Sequence, residues 1–363
     1  MTPLAGVKVL DLSRVFAGPV AGRMLADLGA DVVKVEPPEL DVTRTFGRGP
    51  QTAYFCQQNA GKRAITVDLS TADGRDLVRR LAMEADIVLE NFRPGVLGRF
   101  GLGWDDLSAL KPSLIMLSIS GFGQEGPERD RAAYAGVIHA EMGLIARQPG
   151  RGELPHVDVP ISIADVVSGL HGLVAILAAL HHRDATGQGN HIDLAMVDAL
   201  LASDDVVPLQ LESSSSGGGA TRTEVVDAPG GPIVVMGDFK WIWKSIHERC
   251  GVPDPSGPDA DVPTKVRLRR QAWREFVDGH ATREDLLASL DRANLAWGVV
   301  RHTSEALDSP TTQHRGTFVS LPDGTRVVRS PYRFSNLESG VQGPAPRPDE
   351  HRDEILADWL SSE

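Results

Sequence analysis

The 363-residue sequence has little cysteine, no excess of basic residues and no long apolar segments. Its two cysteines, Cys56 and Cys250, lie far apart and without a nearby cluster of His and Cys, so neither a disulfide framework nor a zinc site is expected. Lys and Arg total 37 against 49 Asp and Glu, and this net charge of −12 disfavours nucleic acid or an anionic membrane as the main partner. Without an evident leader or an apolar run of membrane-spanning length, we expect a cytoplasmic protein, and no metal.

Short apolar segments alternate with helical patterns through the first two hundred residues. Continuous Val/Ile/Leu runs are typical of strands buried on both faces of a parallel sheet. Helices are predicted between them, notably over residues 18–28 and 74–84. The strands are predicted at residues 7–12, 32–35, 65–69, 87–90, 114–119 and 191–194.

The chain is long enough for two domains. A large α/β domain is predicted over residues 1–200 and a linker over 201–223, in which Ser213 to Gly219 are low in complexity and form either a connector or a lid. A small α+β domain is predicted over 224–308, with one strand at 232–236 and helices around 241–249, 271–279 and 283–290. Residues 309–363 form a further linker and tail.

Asp165 is the first candidate for chemistry. It stands at the head of an apolar run that holds no charged residue from Ser168 to Leu180, which predicts a buried helix with Asp165 in its first turn. Free backbone N–H groups and the helix dipole favour the ionised carboxylate there. Such a carboxylate is either a helix cap or a covalent nucleophile.

Several blocks resemble the class III CoA-transferases, the CaiB/BaiF family. Together they cover about the first two hundred residues and the tail, in the family's order. The blocks are residues 4–14 (LAGVKVLDLSR), 17–19 (AGP), 25–38 (LADLGADVVKVEPP), 59–63 (NAGKR), 85–95 (ADIVLENFRPG), 118–127 (SISGFGQEGP), 186–189 (TGQG) and 344–347 (PAPR).

The resemblance implies a Rossmann-like large domain, a smaller α+β domain, a tail that returns to the large domain, and an interlocked homodimer. It also implies that Asp165 is the catalytic aspartate and that Tyr134 lies beside the CoA thioester, where its hydroxyl could stabilise an oxyanion or the ring could simply pack in the core. α-Methylacyl-CoA racemases share the fold and use a histidine at that position. Because His139 and His156 lie nearby in sequence, a racemase is the second reading, and a CoA-binding protein without catalysis is the third.

The expected substrates are an acyl-CoA and a free carboxylic acid. A carboxylate that attacks the thioester gives a mixed anhydride, and the released CoA thiolate can return to leave an enzyme thioester. Guanidinium groups and backbone amides suit the phosphates of CoA. The predicted CoA contacts are Phe16, Ala17, Arg44, Lys62, Asn91, Arg93 and Arg99; Lys62 and Arg93 rank first because they stand inside family-like blocks. Pro37 replaces an arginine that meets CoA in formyl-CoA transferase.

Overall fold

The computed structural model describes residues 1–49, 51–148, 156–211 and 223–360. The chain divides into two compact units, one of residues 1–204 with 314–363 and the other of residues 205–313. The segment from Ser213 to Gly219, interpreted as a connector or a lid, lies outside the described residues.

A six-stranded parallel sheet forms the centre of the first unit, in the order β3-β2-β1-β4-β5-β6. Burial on both faces explains the apolar runs, since every residue of β5 is buried. All six predicted strands are present: β4 has the predicted ends, and the ends of the other five are shifted by one to three residues. They are β1 (Lys8–Asp11), β2 (Asp31–Glu36), β3 (Arg63–Thr66), β4 (Ile87–Glu90), β5 (Ile115–Ser120) and β6 (Asn190–Ala195).

Helices cover both faces of this sheet. One apolar core joins the sheet to α1, α5 and α6, and a second joins its other face to α3, α4 and the C-terminal α14. The tail thus returns to the first unit. The helices are α1 (Ala17–Asp27), α2 (Ala53–Asn59), α3 (Ala72–Glu84), α4 (Trp104–Leu110), α5 (Ala135–Glu141), α6 (Ile163–Thr186), α7 (Met196–Ala202) and α14 (Arg352–Leu360).

The second unit has a three-stranded antiparallel sheet, β7 (Thr223–Val226), β8 (Ile233–Met236) and β9 (Ala296–Val299), in that order. Only β8 was predicted, because β9 is short and only partly buried. The other elements outside the central sheet are α8 (Val207–Leu211), α9 (Phe239–Cys250), α10 (Val262–Asp278), α11 (Arg283–Arg292), α12 (Thr303–Leu307), α13 (Pro310–His314), and the hairpin of β10 (Phe318–Ser320) and β11 (Arg326–Val328), which belongs to the first unit.

Helix α6 is long and apolar, with 24 residues and a hydropathy of 2.0. By length and composition alone it could cross a membrane, so the expectation that no segment reaches that length was wrong. Its buried residues, among them Leu173, Ile176 and Leu180, belong to the core shared with α1 and the sheet. This placement is that of a core helix in a globular unit. The cytoplasmic location stays a prediction.

Candidate active site

A cavity of about 420 Å³ opens where the chain leaves the carboxyl ends of β1, β4 and β5. The strand order reverses between β1 and β4, which is the place where open α/β sheets bind ligands. Residues 14–17, 91–94 and 119–121 form its walls on the sheet side. Asp165 and residues 131–134 complete it, so the pocket brings together parts of the chain that are far apart in sequence.

Asp165 lies in the first turn of α6, as predicted, and is half-buried. Burial raises the pKa of its carboxyl to about 6, an effect partly offset by the nearby His139 ring and by the backbone N–H of Ala17. The sequence suggested only the effect of the helix start, which favours the ionised form; burial acts in the opposite direction and is the larger effect. Loss of hydration outweighs the helix terminus because the carboxylate faces an enclosed pocket.

His139 fixes the start of α6. Its ring is 1 % exposed, its Nδ1 lies 2.8 Å from Asp158 Oδ1, and its Nε2 accepts the Ala164 N–H at 3.2 Å. An accepting Nε2 places the proton on Nδ1, which donates to Asp158. Ser162, the N-cap residue, makes no side-chain cap, so His139 satisfies one of the free N–H groups of the helix. His156 is exposed and does not line the pocket.

Two tyrosines lie at the site. Tyr134 lines the pocket and is 69 % exposed, so it is a rim residue and not a packed core aromatic. Tyr54 was not found from the sequence; its ring contacts Phe16 and Phe46, with centroids 5.6 and 5.3 Å away. Burial raises the pKa of the Tyr54 phenol, and the negative charge of Asp165 raises it further. Tyr54 thus stands close enough to Asp165 for their charges to interact.

The predicted CoA contacts separate into two groups. Phe16, Ala17, Asn91 and Arg93 line the pocket, and the Arg93 side chain is exposed. The pocket also holds two arginines that sequence reasoning missed, Arg14 and Arg131. Arg14 stands three residues after the end of β1, and its nearness to the carboxyl end of a parallel strand is the signal that could have found it. Arg131 is ion-paired with Glu128 and, at 2.6 Å, with Glu141.

Arg44 and Lys62 are buried in ion pairs and do not line the pocket. Lys62 Nζ donates to Asp11 Oδ2 at 2.8 Å, and Arg44 Nη2 donates to Glu36 Oε2 at 2.6 Å, with all four side chains at most 3 % exposed. Arg99 is exposed at the surface and lines none of the described pockets. This geometry favours a structural role for Arg44 and Lys62, because their charges are already neutralised inside the unit.

Comparison with known proteins identifies the family to which this chain belongs. A sequence model of CoA-transferase family III matches residues 4–352, so the chain belongs to that family. It is 34 % identical over 386 residues to the succinate–glutarate CoA-transferase of Agrobacterium fabrum, covering 98 % of this chain and 95 % of the relative. It is 32 % identical over 382 residues to the succinyl-CoA–D-citramalate CoA-transferase of Chloroflexus aurantiacus, with 99 % and 94 % covered.

Solved structures agree with this class. A CaiB/BaiF family protein from Brucella suis superposes with a TM-score of 0.82 and 34 % identity over 99 % of both chains. Rv3272 from Mycobacterium tuberculosis, in its orthorhombic form, gives 0.84 and 28 % identity over 98 % of this chain and 99 % of that one. The protein is a CoA-transferase with the CaiB/BaiF fold.

Proposed function

We propose that this enzyme moves CoA between two carboxylic acids through covalent intermediates on Asp165. The observation that carries the proposal is the position of this half-buried carboxylate in the pocket at the sheet's switch point, beside a donated backbone N–H. A carboxylate with a pKa of about 6 is ionised at neutral pH and needs no base partner, yet it is more nucleophilic than one with an ordinary pKa.

The reaction consists of two successive exchanges of CoA and carboxylic acid at the side chain of Asp165. An Asp165 oxygen attacks the thioester carbonyl, the C–S bond breaks, and CoA leaves as the thiolate. The thiolate then attacks the aspartyl carbonyl of the mixed anhydride, which releases the first acid and leaves an aspartyl-CoA thioester. The second acid attacks that thioester, and the same two steps in reverse order release its CoA ester and free Asp165.

The pocket residues have distinct roles in this scheme. The Tyr134 hydroxyl is placed on the rim to donate to the oxyanion that develops on the thioester carbonyl. Arg93 and Arg14 line the pocket with no hydrogen bond or ion pair from their guanidinium groups among the described residues, so they are available to the phosphates of CoA. Phe16 and Ala17 offer backbone close to Asp165.

Dicarboxylic acids are the first substrates to test. Relatives at 34 % and 32 % identity are named for succinate, glutarate and citramalate. We therefore infer that succinyl-CoA is a donor and a C4 or C5 dicarboxylate the acceptor.

The experiment is to incubate the enzyme with succinyl-CoA, add hydroxylamine, and map modified peptides by mass spectrometry. We expect a hydroxamate on Asp165 in the parent and none in Asp165→Asn, together with CoA transfer to glutarate. A racemase would instead exchange the α-proton of a 2-methylacyl-CoA with deuterated water and form no adduct. Binding of CoA with neither activity would point to a protein that binds CoA without catalysis.

A homodimer also belongs to the proposal. The outer face of α6 exposes Leu170, Val174 and Leu177, with Val174 at 63 %. An apolar helix face of this kind is typical of a contact between subunits. Light scattering at micromolar concentration should give twice the mass of one chain, and a stable monomer would contradict the dimer.

A further inference from the structure

The loop between β1 and α1 contains a strained residue. Val15 has φ of 67°, in the left-handed region, where a β-branched side chain is rarely found. Such a conformation persists only where surrounding contacts enforce it, and it concentrates at functional sites. Val15 lines the same pocket as Asp165 and stands two residues before Ala17, the first residue of α1.

Side chains from two other parts of the chain hold this loop. The amide of Asn91, after β4, clamps Arg14 from both sides: Arg14 N–H donates to Oδ1 at 2.7 Å, and Nδ2 donates to Arg14 O at 2.8 Å. Val15 N–H donates to Asp41 Oδ2 at 3.2 Å. Lys34, paired with Asp41 at 3.2 Å, donates to Ser13 O at 3.0 Å. Apart from the Lys34–Asp41 pair, every one of these bonds goes to the backbone of residues 13–15.

The side chains that surround Asn91 and Asp41 keep these two residues in place. Glu90, 5 % exposed at the end of β4, accepts the Phe92 N–H at 2.7 Å and so fixes the turn that carries Asn91. Asp41 is 1 % exposed and also accepts the N–H and the hydroxyl of Thr43, at 3.0 and 2.8 Å. The side chains that hold the loop are therefore themselves fixed by hydrogen bonds in buried surroundings.

We propose that Asn91 is a positioning residue, which holds the strained Arg14–Val15 backbone so that this loop keeps its place in the pocket wall beside the carboxylate of Asp165. The inference rests on the proposed role of Asp165 as nucleophile. It departs from the sequence prediction for Asn91, which was a contact to CoA. The side-chain amide of Asn91 is occupied by Arg14, and its effect reaches the reacting carboxylate through the loop.

The test is a rescue experiment. In Asn91→Ala the strain at Val15 is no longer opposed, the loop relaxes, and kcat should fall by about 100-fold, the size of effect that a displacement of about 1 Å can produce. Glycine adopts positive φ without strain. Val15→Gly in the Asn91→Ala background should therefore raise kcat back towards the value of the Val15→Gly single variant. Asn91→Asp keeps the acceptor for Arg14 N–H and should lose less, which gives a second variant if Asn91→Ala folds poorly.

Arg93→Ala is the comparison for a lost ligand contact, because Arg93 lines the same pocket two residues away. It should raise KM for the acyl-CoA more than it lowers kcat, whereas Asn91→Ala should act mainly on kcat. If Asn91→Ala behaves like Arg93→Ala and Val15→Gly does not rescue it, Asn91 is a ligand contact and the proposal is overturned.

A readout without turnover separates this proposal from the proposed function. Carbodiimide modifies protonated carboxyls, so its pH dependence at Asp165, read by peptide mass spectrometry, reports the protonation of that group. The midpoint should move to higher pH in Asn91→Ala, because the loop that carries Arg14 and the Ala17 N–H moves away from the carboxylate, and it should return in the double variant. The other titratable groups around Asp165, namely His139, Tyr54, Tyr134 and Arg131, lie outside the loop and stay in place. If the pH midpoint of Asp165 modification is the same in Asn91→Ala as in the parent, the positioning role of Asn91 is contradicted. If the parent enzyme transfers no CoA, only the proposed function is contradicted.

Discussion

Nε2 of His139 accepts the backbone N–H of Ala164 at 3.2 Å, one residue before Asp165 in the first turn of α6. A helix begins with N–H groups that have no partner inside the helix, and the ring of His139 satisfies one of them. Ala17, the first residue of α1, lines the same pocket as Asp165, so the first turns of α1 and α6 meet at this acid.

Activity should depend on the ionisation of Asp165. Because burial raises the pKa of this carboxyl to about 6, the nucleophilic form is lost on acidification through that value. We expect kcat/KM for the acyl-CoA to rise with pH up to about 6 and then to level off, measured with an acyl-CoA whose own groups do not titrate in this range. A rate that stays constant down to pH 4.5 would contradict an Asp165 nucleophile with this pKa.

Removing the charge at Asp165 should stabilise the folded protein. The folded-state pKa of about 6 lies above the ordinary value of 3.8, so the folded state holds this proton more firmly, and stability falls as pH rises from 3.8 through 6. Asp165→Asn should raise the free energy of unfolding at pH 8 by about 1–2 kcal/mol, since a pKa change of one corresponds to about 1.4 kcal/mol and the site is partly solvated. Urea unfolding at pH 8 and pH 4 measures this, and a gain of the same size at both pH values would exclude titration as its cause.

Lys62 and Arg93 should behave differently although both were predicted to bind CoA. Lys62→Met leaves Asp11 buried without its partner and should lower the free energy of unfolding by about 3–5 kcal/mol. Arg93→Ala should weaken CoA binding by about 1.5–3 kcal/mol and leave stability nearly unchanged.

Arg99→Ala is the surface control for both variants, since Arg99 is exposed and lines none of the described pockets. Calorimetric titration with CoA and thermal unfolding separate the two effects. A stable Lys62→Met protein with weak CoA binding would restore the original prediction for Lys62.

Gly169 should be required for the contact between α1 and α6. A Cβ there would stand 2.8 Å from Ala17 O and 2.8 Å from Val20 Cγ1, so Gly169→Ala must push the start of α1 away from Asp165. We expect a loss of about 1–3 kcal/mol in stability and a fall in kcat. Gly172→Ala, one turn further, would meet the tip of the Leu117 side chain at 2.8 Å and serves as the matched control with little effect on kcat. Equal kcat values in the two variants would show that the contact of Gly169 with α1 does not affect the reaction at Asp165.

The strands and the helix that carries Asp165 follow from the sequence. The runs at 32–35 and 114–119 are apolar because both sheet faces are covered, and that pattern is local. The position of Asp165 in the first turn of α6 also follows from local spacing, since the apolar run begins directly after it. The family-like blocks were confirmed by the match to CoA-transferase family III.

Only the tertiary structure decided what the charged residues do. Lys62 and Asp11 are 51 positions apart, and Asn91 meets Arg14 across 77, so no local pattern could pair them. The protonation of Asp165 was also beyond the sequence, because a helix start favours the ionised form while burial, which depends on every segment packed around it, opposes that form more strongly. Periodicity records which face of an element is buried; which partner a buried charge finds depends on how distant elements are brought together.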